Sequence, residues 1–302
     1  MADGAPGDNT VWGERAFRRI WRVGPERPIR RQVSNHRPLH FGPVEAVLIG
    51  LLGTALGVIA VATAVPWLLT ERHLVPEADT LRAAYGPDKY SHHDEEWIIR
   101  DFFKDKRGGF FLDVGAHHYR QGSNTYYLEA ALEWEGIAVE PLVEFEAEYV
   151  QFRPRTRFRA FFASDVSDDR ALLYTLPNRL PVSSGVERFT RRYGDDVDNE
   201  AVEARDVPTI TLNDLLAAEG VERIDLLSMD IELWEPKALA GFDVRRFRPS
   251  LVCIEAHPEV RQQILDYFAA HHYVAIGRYL RADVWNLYFA PLAAPVESPR
   301  RP

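Results

Sequence analysis

A single cysteine, Cys253, stands among 302 residues. An internal disulfide and a cysteine-based zinc site are both excluded, and the redox compartment stays open. Positive charge is in deficit: the net charge is −9. It is unevenly spread, with eight Arg against four acids placing +4 on residues 1–43 and leaving −13 on residues 44–302. A part this acidic is a poor fit to a phosphate backbone, so nucleic acid is not an expected partner. Repeats at solenoid spacing are absent. The second close glycine of a dinucleotide-binding turn is also missing: "FLDVGAHHYRQG" (111–122) carries His117 and His118 where G-x-G-x-x-G would continue. That argues against a nicotinamide-dependent oxidoreductase.

What is present begins with a long uncharged run. "AVLIGLLGTALGVIAVATAVPWLL" occupies residues 46–69 without a charge. A helix of that length crosses a hydrocarbon core of about 30 Å, and a single transmembrane helix is expected. Pro66 can kink it, and Gly53 and Gly57 form a G-x-x-x-G pair through which two copies can pack as a homo-oligomer. The flank before the run is rich in arginine and the flank after it is mainly acidic. The positive-inside rule then puts the N-terminus in the cytoplasm and the folded domain in a lumen or outside the cell. Residues 71–100 read as a polar connector with a short helix, and 292–302 as a disordered tail.

With 46% hydrophobic and 27% charged residues, the remainder can bury a sizeable core. Strand and helix patterns alternate from "GFFLDVG" onward. "SNTYYLEAALEWE" reads as a helix capped by Ser123, "GIAVEP" as a second strand, "LVEFEAEYVQF" as a helix and "RFRAFFASD" as a third strand. "ALLYTL" is a further strand, followed by an irregular polar stretch to residue 209. Then come the helix "TLNDLLAAEG", the strand "IDLLSMD", the helix "EPKALAGF", the strand "SLVCIEAH", the helix "EVRQQILDYFAAH" and the strands "YVAIGRYL" and "VWNLYFAP". Continuous apolar strands between amphipathic helices predict an α/β fold with a mostly parallel, doubly wound sheet. The last two strands lack a helix between them, which predicts an antiparallel edge strand.

Ligands of such sheets bind beyond the carboxyl ends of the strands. Those ends supply Asp113-Val114-Gly115, Glu140, Ser164-Asp165, Asp230-Ile231-Glu232 and Glu255-Ala256-His257, with no Lys or Arg among them. An acidic rim suits a ligand with hydroxyls and positive charge better than one with several phosphates. Glu140 lies 25 residues beyond Gly115, near the spacing of about 20 at which an acid meets ribose hydroxyls. The plainer readings are a tight turn at Gly115, a helix cap at Glu140, a turn at Asp165, dipole-favouring charges at Asp230 and Glu232, and a structural histidine at His257.

Three stretches, "FLDVGAHHYRQGSNTYYLE…WEGIAVEP", "TLNDLLAAEGVERIDLLSMDIELWEPKALAGFD…RPSLVCIEAH" and "YFAAHHYVAIGRYLRADVWNLYFAP", closely resemble FkbM-type methyltransferases over residues 101–291. The resemblance implies a class I, Rossmann-like fold, S-adenosyl-L-methionine as cofactor, and O-methylation of a glycan or small-molecule hydroxyl acceptor. It assigns Asp113, Gly115 and Ala116 to the cofactor loop, Glu140 to the ribose and Asp165 to the adenine. Asp230 and Glu232 match a D-x-E element, and Glu255 and His257 an E-x-H ending. His117 stands where Asn is common, and Leu233 replaces the usual glycine after D-x-E. His257 is the first choice of general base and Glu232 the second. A divalent metal on Asp230, Glu232 and His257 is conceivable, but none is expected. The stretch "LPVSSGVERFTRRYG" reads as an acceptor lid. The alternative from another class is a non-catalytic, membrane-anchored binding protein, which Leu233 and the topology keep open. Adenosylmethionine is made in the cytoplasm, so a lumenal domain would need a supplied cofactor, as in a type II endomembrane enzyme.

Overall fold

The computed structural model describes residues 78–177, 182–196 and 201–292. The arginine-rich segment, the run at 46–69 and the tail from residue 293 lie outside the described residues. Among the described residues no helix is long and apolar enough to cross a membrane.

Two helices, α1 (Ala78–Tyr85) and α2 (Glu95–Phe103), precede the first strand. The connector expected here is therefore corrected: α2 buries Trp97, Ile98 and Ile99, and Leu81 of α1 joins the same core cluster. Charged residues disguise this helix. Glu95, Glu96 and Arg100 are buried with partners, Arg100 donating to Asp105 and to the Tyr85 carbonyl.

The main sheet has seven strands in the order β3-β2-β1-β7-β8-β10-β9. The strands are β1 (Phe110–Val114), β2 (Glu135–Val139), β3 (Thr156–Arg159), β7 (Leu226–Met229), β8 (Leu251–Glu255), β9 (Tyr273–Ala275) and β10 (Asn286–Pro291). The first five are mutually parallel, with Val114 opposite both Val139 and Met229. Side chains alternate between faces, as the pleat requires. Leu112, Val114, Leu227, Met229, Val252 and Ile254 enter one core cluster, while Phe111, Leu226, Leu251 and Cys253 enter the other. Helices cover both faces, as the apolar strands predict.

The antiparallel strand is β10, and it is not at the edge: it pairs with β8 on one side and β9 on the other. Its Asn286, Leu287, Tyr288 and Phe289 are all buried, whereas β9 is three residues long with two exposed. The more apolar strand takes the interior position.

Between strands lie α3 (Tyr126–Leu132), α4 (Glu146–Phe152), α6 (Leu212–Ala218), α7 (Glu235–Ala240), α8 (Val244–Phe247) and α9 (Arg261–Ala270). Thr125, not Ser123, is the N-cap residue of α3, although the Ser123 hydroxyl does accept from the Tyr126 N–H. The expected third strand divides at Arg159. Phe158 packs with Ala116 and Tyr149, while Phe162 joins Leu142, Leu173 and Val207. Phe162 lies in β4 (Phe162–Ala163), which forms a second sheet with β6 (Glu203–Ile210) and β5 (Arg170–Thr175) in the order β4-β6-β5. The stretch expected to be irregular thus contains β6 and also α5 (Glu187–Asp196). Only Val207 and Thr209 of β6 are buried, and Pro208 interrupts its pattern, so periodicity could not reveal it.

Candidate functional site

The chain leaves β1 towards β2 on one side and later returns to β7 on the other, so the order reverses between β1 and β7. Ligand clefts of open α/β sheets form at such a point. At the end of β1, the Gly115 and Ala116 N–H groups both donate to the Val139 carbonyl, at 2.9 and 3.2 Å. Asp230 N–H donates to the Val114 carbonyl at 3.0 Å. Gly115 has φ of +81°, and a Cβ there would lie 1.8 Å from the Asp230 carbonyl oxygen. Glycine is therefore required on two counts, its left-handed backbone and this close approach.

Glu140, just past β2, reaches back to this turn. Its two carboxyl oxygens accept from the His117 and Leu142 N–H groups, each at 3.0 Å. Burial pushes its pKa up to about 7, against the effect of those two hydrogen bonds. A carboxylate can accept about four hydrogen bonds, so capacity remains for the hydroxyls of a ribose. Asp113 is placed differently. It is buried on the α3 side, where the Thr125 hydroxyl donates to it at 2.7 Å, so it anchors the loop before α3. Ala116 is buried, and its carbonyl accepts from the Tyr149 hydroxyl at 3.0 Å.

The two histidines of the turn shape it. His117 sits at φ of +45° with its ring edge-on to Phe145, and burial lowers its pKa to about 4, which keeps it neutral. His118 Nδ1 accepts from the Arg120 and Gln121 N–H groups.

Asp165 does not follow the third strand of the main sheet. It follows β4, is partly exposed, and pairs with Lys237 at 3.1 Å. That hydrogen bond holds its pKa below the usual carboxylate value. The rim thus receives one lysine that strand-end reading could not supply.

Beyond β7 and β8 the remaining residues converge. His257 Nε2 lies 3.2 Å from Glu232 Oε2 and 3.2 Å from Glu255 Oε1. Burial opposes charge on this imidazole, but the hydrogen bonds and charges of the two carboxyls outweigh it and push its pKa up to about 11. Burial raises Glu232 and Glu255 to about 8. Asp230 is reached by solvent, yet burial among surrounding protein holds its pKa well above the usual value. The charge of Glu255 acts on Asp230 in the same direction. Glu255 Oε2 has no hydrogen-bond partner. The cluster therefore retains protons. Those protons are shared among His257, Glu232 and Glu255, whose charges act on one another.

Three contributions were not legible in the sequence. Glu235, wholly buried under the turn after β7, accepts from the Ile231 N–H, and its charge acts on Asp230, Glu232, Glu255 and His257. On α5, Phe189 meets the His257 ring edge-on at 5.2 Å between centroids, Ser184 just before the helix donates to the Glu232 carbonyl, and the charges of Glu232 and Glu255 act on Tyr193. This is the stretch read as a lid, and it packs against the cluster. The segment before α2 reaches the cofactor-side turn: Gly122 N–H donates to the Tyr90 carbonyl, and His92 lies against Gly122. Nothing in the spacing of residues 89–92 signals that contact.

No curated protein matches the chain. Among solved structures it is similar to the Burkholderia thailandensis 1,6-didemethyltoxoflavin-N1-methyltransferase bound to 1,6-didemethyltoxoflavin and S-adenosylhomocysteine. The two are 10% identical, the match covers 85% of this chain and 93% of that one, and the TM-score is 0.34. It is also similar to a SAM-dependent O-methyltransferase from Thermotoga maritima, with 10% identity, 74% of each chain covered and a TM-score of 0.37. The profile of the methyltransferase FkbM domain matches residues 113–275, from the acid of the first turn to the end of β9 and over more than half of the chain. The chain belongs to the FkbM methyltransferase family.

Proposed function

We propose that this protein is a membrane-anchored, S-adenosylmethionine-dependent O-methyltransferase acting on a hydroxyl of a glycan or secondary metabolite. The observation that carries this reading is the pairing of His257 with Glu232 and Glu255 at the ends of adjacent strands, next to the turn that holds Glu140. The cofactor brings a methyl group on a sulfonium and no pyrophosphate. The close backbone approach that a second glycine allows is then unnecessary, and His117 and His118 are tolerated. Glu140 takes the ribose hydroxyls, Gly115 and Ala116 form the wall of the cofactor site, Asp113 steadies its loop, and Asp165 with Lys237 lies on the adenine side.

In the transfer, the acceptor oxygen attacks the methyl carbon. Adenosylmethionine held there would supply the methyl group and leave as the neutral sulfide with the C–S electron pair. The hydroxyl proton passes to the Glu232–His257–Glu255 unit. Glu232 and His257 share it, and Asp230 beside them orients the acceptor. General-base catalysis of this kind contributes about 10²–10⁴ in rate, so Glu232→Gln and His257→Ala are expected to lose that much turnover with cofactor affinity retained. Full turnover in His257→Ala would remove the base assignment.

The run at 46–69 serves as the anchor, with the N-terminus cytoplasmic and the domain on the far side. Protease protection of the domain in sealed vesicles tests the orientation, and digestion from the cytoplasmic side would reverse it. Labelled-methyl transfer from adenosylmethionine into a panel of glycans and lipid-linked sugars tests the activity. Failure to bind adenosylmethionine in calorimetry, with no acceptor labelled, would favour a non-catalytic binding protein.

A further inference from the structure

We infer that Glu232, Glu255 and His257 form a binding site for one divalent cation, for which Mn²⁺ is the fitting probe, with a coordination position left for the acceptor hydroxyl. The inference rests on the assignment of this cluster to the acceptor.

One ligand atom from each of the three residues falls within 4.8 Å of the other two. His257 Nε2 is equidistant, at 3.2 Å, from Glu232 Oε2 and Glu255 Oε1. That spacing lies at the long end of hydrogen bonding and is also the one a shared ion would hold. Charge-assisted N–H···O bonds run at about 2.7–2.9 Å, and the single hydrogen on Nε2 cannot point at two oxygens at once. Two ligand atoms held about 2.1 Å from a shared ion at near right angles stand about 3 Å apart. One imidazole and two carboxylates are a mixed nitrogen and oxygen set, suited to first-row divalent ions and leaving positions open.

An independent observation points the same way. Among the described residues, the buried carboxyl oxygens without a hydrogen-bond partner are Glu235 Oε2 and Glu255 Oε2. Glu255 is one of the three ligands, and Glu235, whose charge acts on Glu232 and Glu255, is 0% exposed. Orphaned buried acceptors require an explanation, and an ion is one that serves several carboxylates together. The His257 ring is already held against Phe189, so its Nε2 is oriented before any ion arrives.

The test is titration of Mn²⁺ into the chelator-stripped full chain, followed by calorimetry and by electron paramagnetic resonance for coupling to a nitrogen ligand. One ion per chain is expected, with nitrogen coupling. His257→Gln should abolish the coupling, and Glu255→Gln and His257→Gln should each weaken binding by at least about a hundredfold. S-adenosylhomocysteine affinity measured on the same variants shows that they are folded. Asp206→Asn, on β6 of the second sheet and paired to Arg170, should leave Mn²⁺ binding unchanged. Absence of saturable binding, survival of tight binding in both ligand variants, or a bound ion without nitrogen coupling would each overturn the site. Loss of the site leaves methyl transfer standing, whereas a bound ion with no methyl transfer to any acceptor overturns the functional reading instead.

Discussion

Gly115 and Glu140 meet across one turn, and their constraints are opposite in kind. At Gly115 the demand is steric, because the missing Cβ would collide with the Asp230 carbonyl. Left-handed strain of about 1–3 kcal/mol adds to an overpacking cost of similar size, so Gly115→Ala should lose about 3 kcal/mol or more in urea unfolding. At Glu140 the demand is electrostatic. Its pKa in the folded free protein is about 7, raised from 4.5 by burial. A raised carboxyl favours the protonated form, so its contribution to stability is full below about pH 4.5 and is lost as pH rises through about 7. Cofactor binding needs the opposite form, since the ionised carboxylate is the better acceptor for ribose hydroxyls. Adenosylmethionine affinity should therefore rise from about pH 6 to about pH 8, and Glu140→Gln should bind weakly with that pH dependence removed. A flat profile in the parent protein would contradict the assignment. Leu233 resolves a departure noted in the sequence. It sits in the left-handed region, at φ of +75°, where a glycine would be unstrained, and its side chain is buried at 7% exposure. Strain of about 1–2 kcal/mol is offset by about 1.5–3 kcal/mol from burying a leucine, so the turn survives the substitution.

Among the elements, α2 and α5 carry more than their sequences suggest. Burying Trp97, Ile98 and Ile99 on α2 contributes about 1.5–3 kcal/mol each, which is comparable to the whole stability of a domain, about 5–15 kcal/mol. A fragment beginning at Asp101 should therefore fail to unfold cooperatively by circular dichroism, while one beginning at Thr70 should unfold in a single transition. Equal cooperativity of the two would show that α2 is dispensable. Polar residues hide this helix, since Glu95, Glu96 and Arg100 are buried only because each finds a partner. On α5, Phe189 and Tyr193 lie four residues apart on one face, the face turned to the cluster. Phe189→Ala should weaken acceptor binding, seen as a raised KM, while cofactor affinity measured by calorimetry stays within about twofold, because Phe189 meets the ring of His257 and not the β1 turn residue Gly115 or Glu140.

At the scale of the described domain, seven strands hold two separate acidic features in one row of strand ends: Glu140 beyond β2, and the Glu232–Glu255–His257 group beyond β7 and β8, with the β1 turn between them. A ligand that spans the row ties three strands together. Adenosylmethionine at about a hundred times its Kd should stabilise the folded chain by about 2.7 kcal/mol, read as a higher Tm, and Glu140→Gln should lose most of that shift. An unchanged Tm at saturating cofactor would mean that the row is not its site.

Strand and helix alternation, the buried parallel sheet and the strand-end acids were written in the sequence, because apolar period and turn residues are local signals. Local signals also gave the D-x-E and E-x-H elements, though not the fact that they meet. That meeting, the partner of Asp165, the buried turn of Asp113, the divided third strand and the packing of α2 and α5 depend on contacts between residues far apart along the chain. Only the tertiary structure decided them, because a side chain's charge state and partners are set by what surrounds it in space, and no spacing along the chain encodes those surroundings.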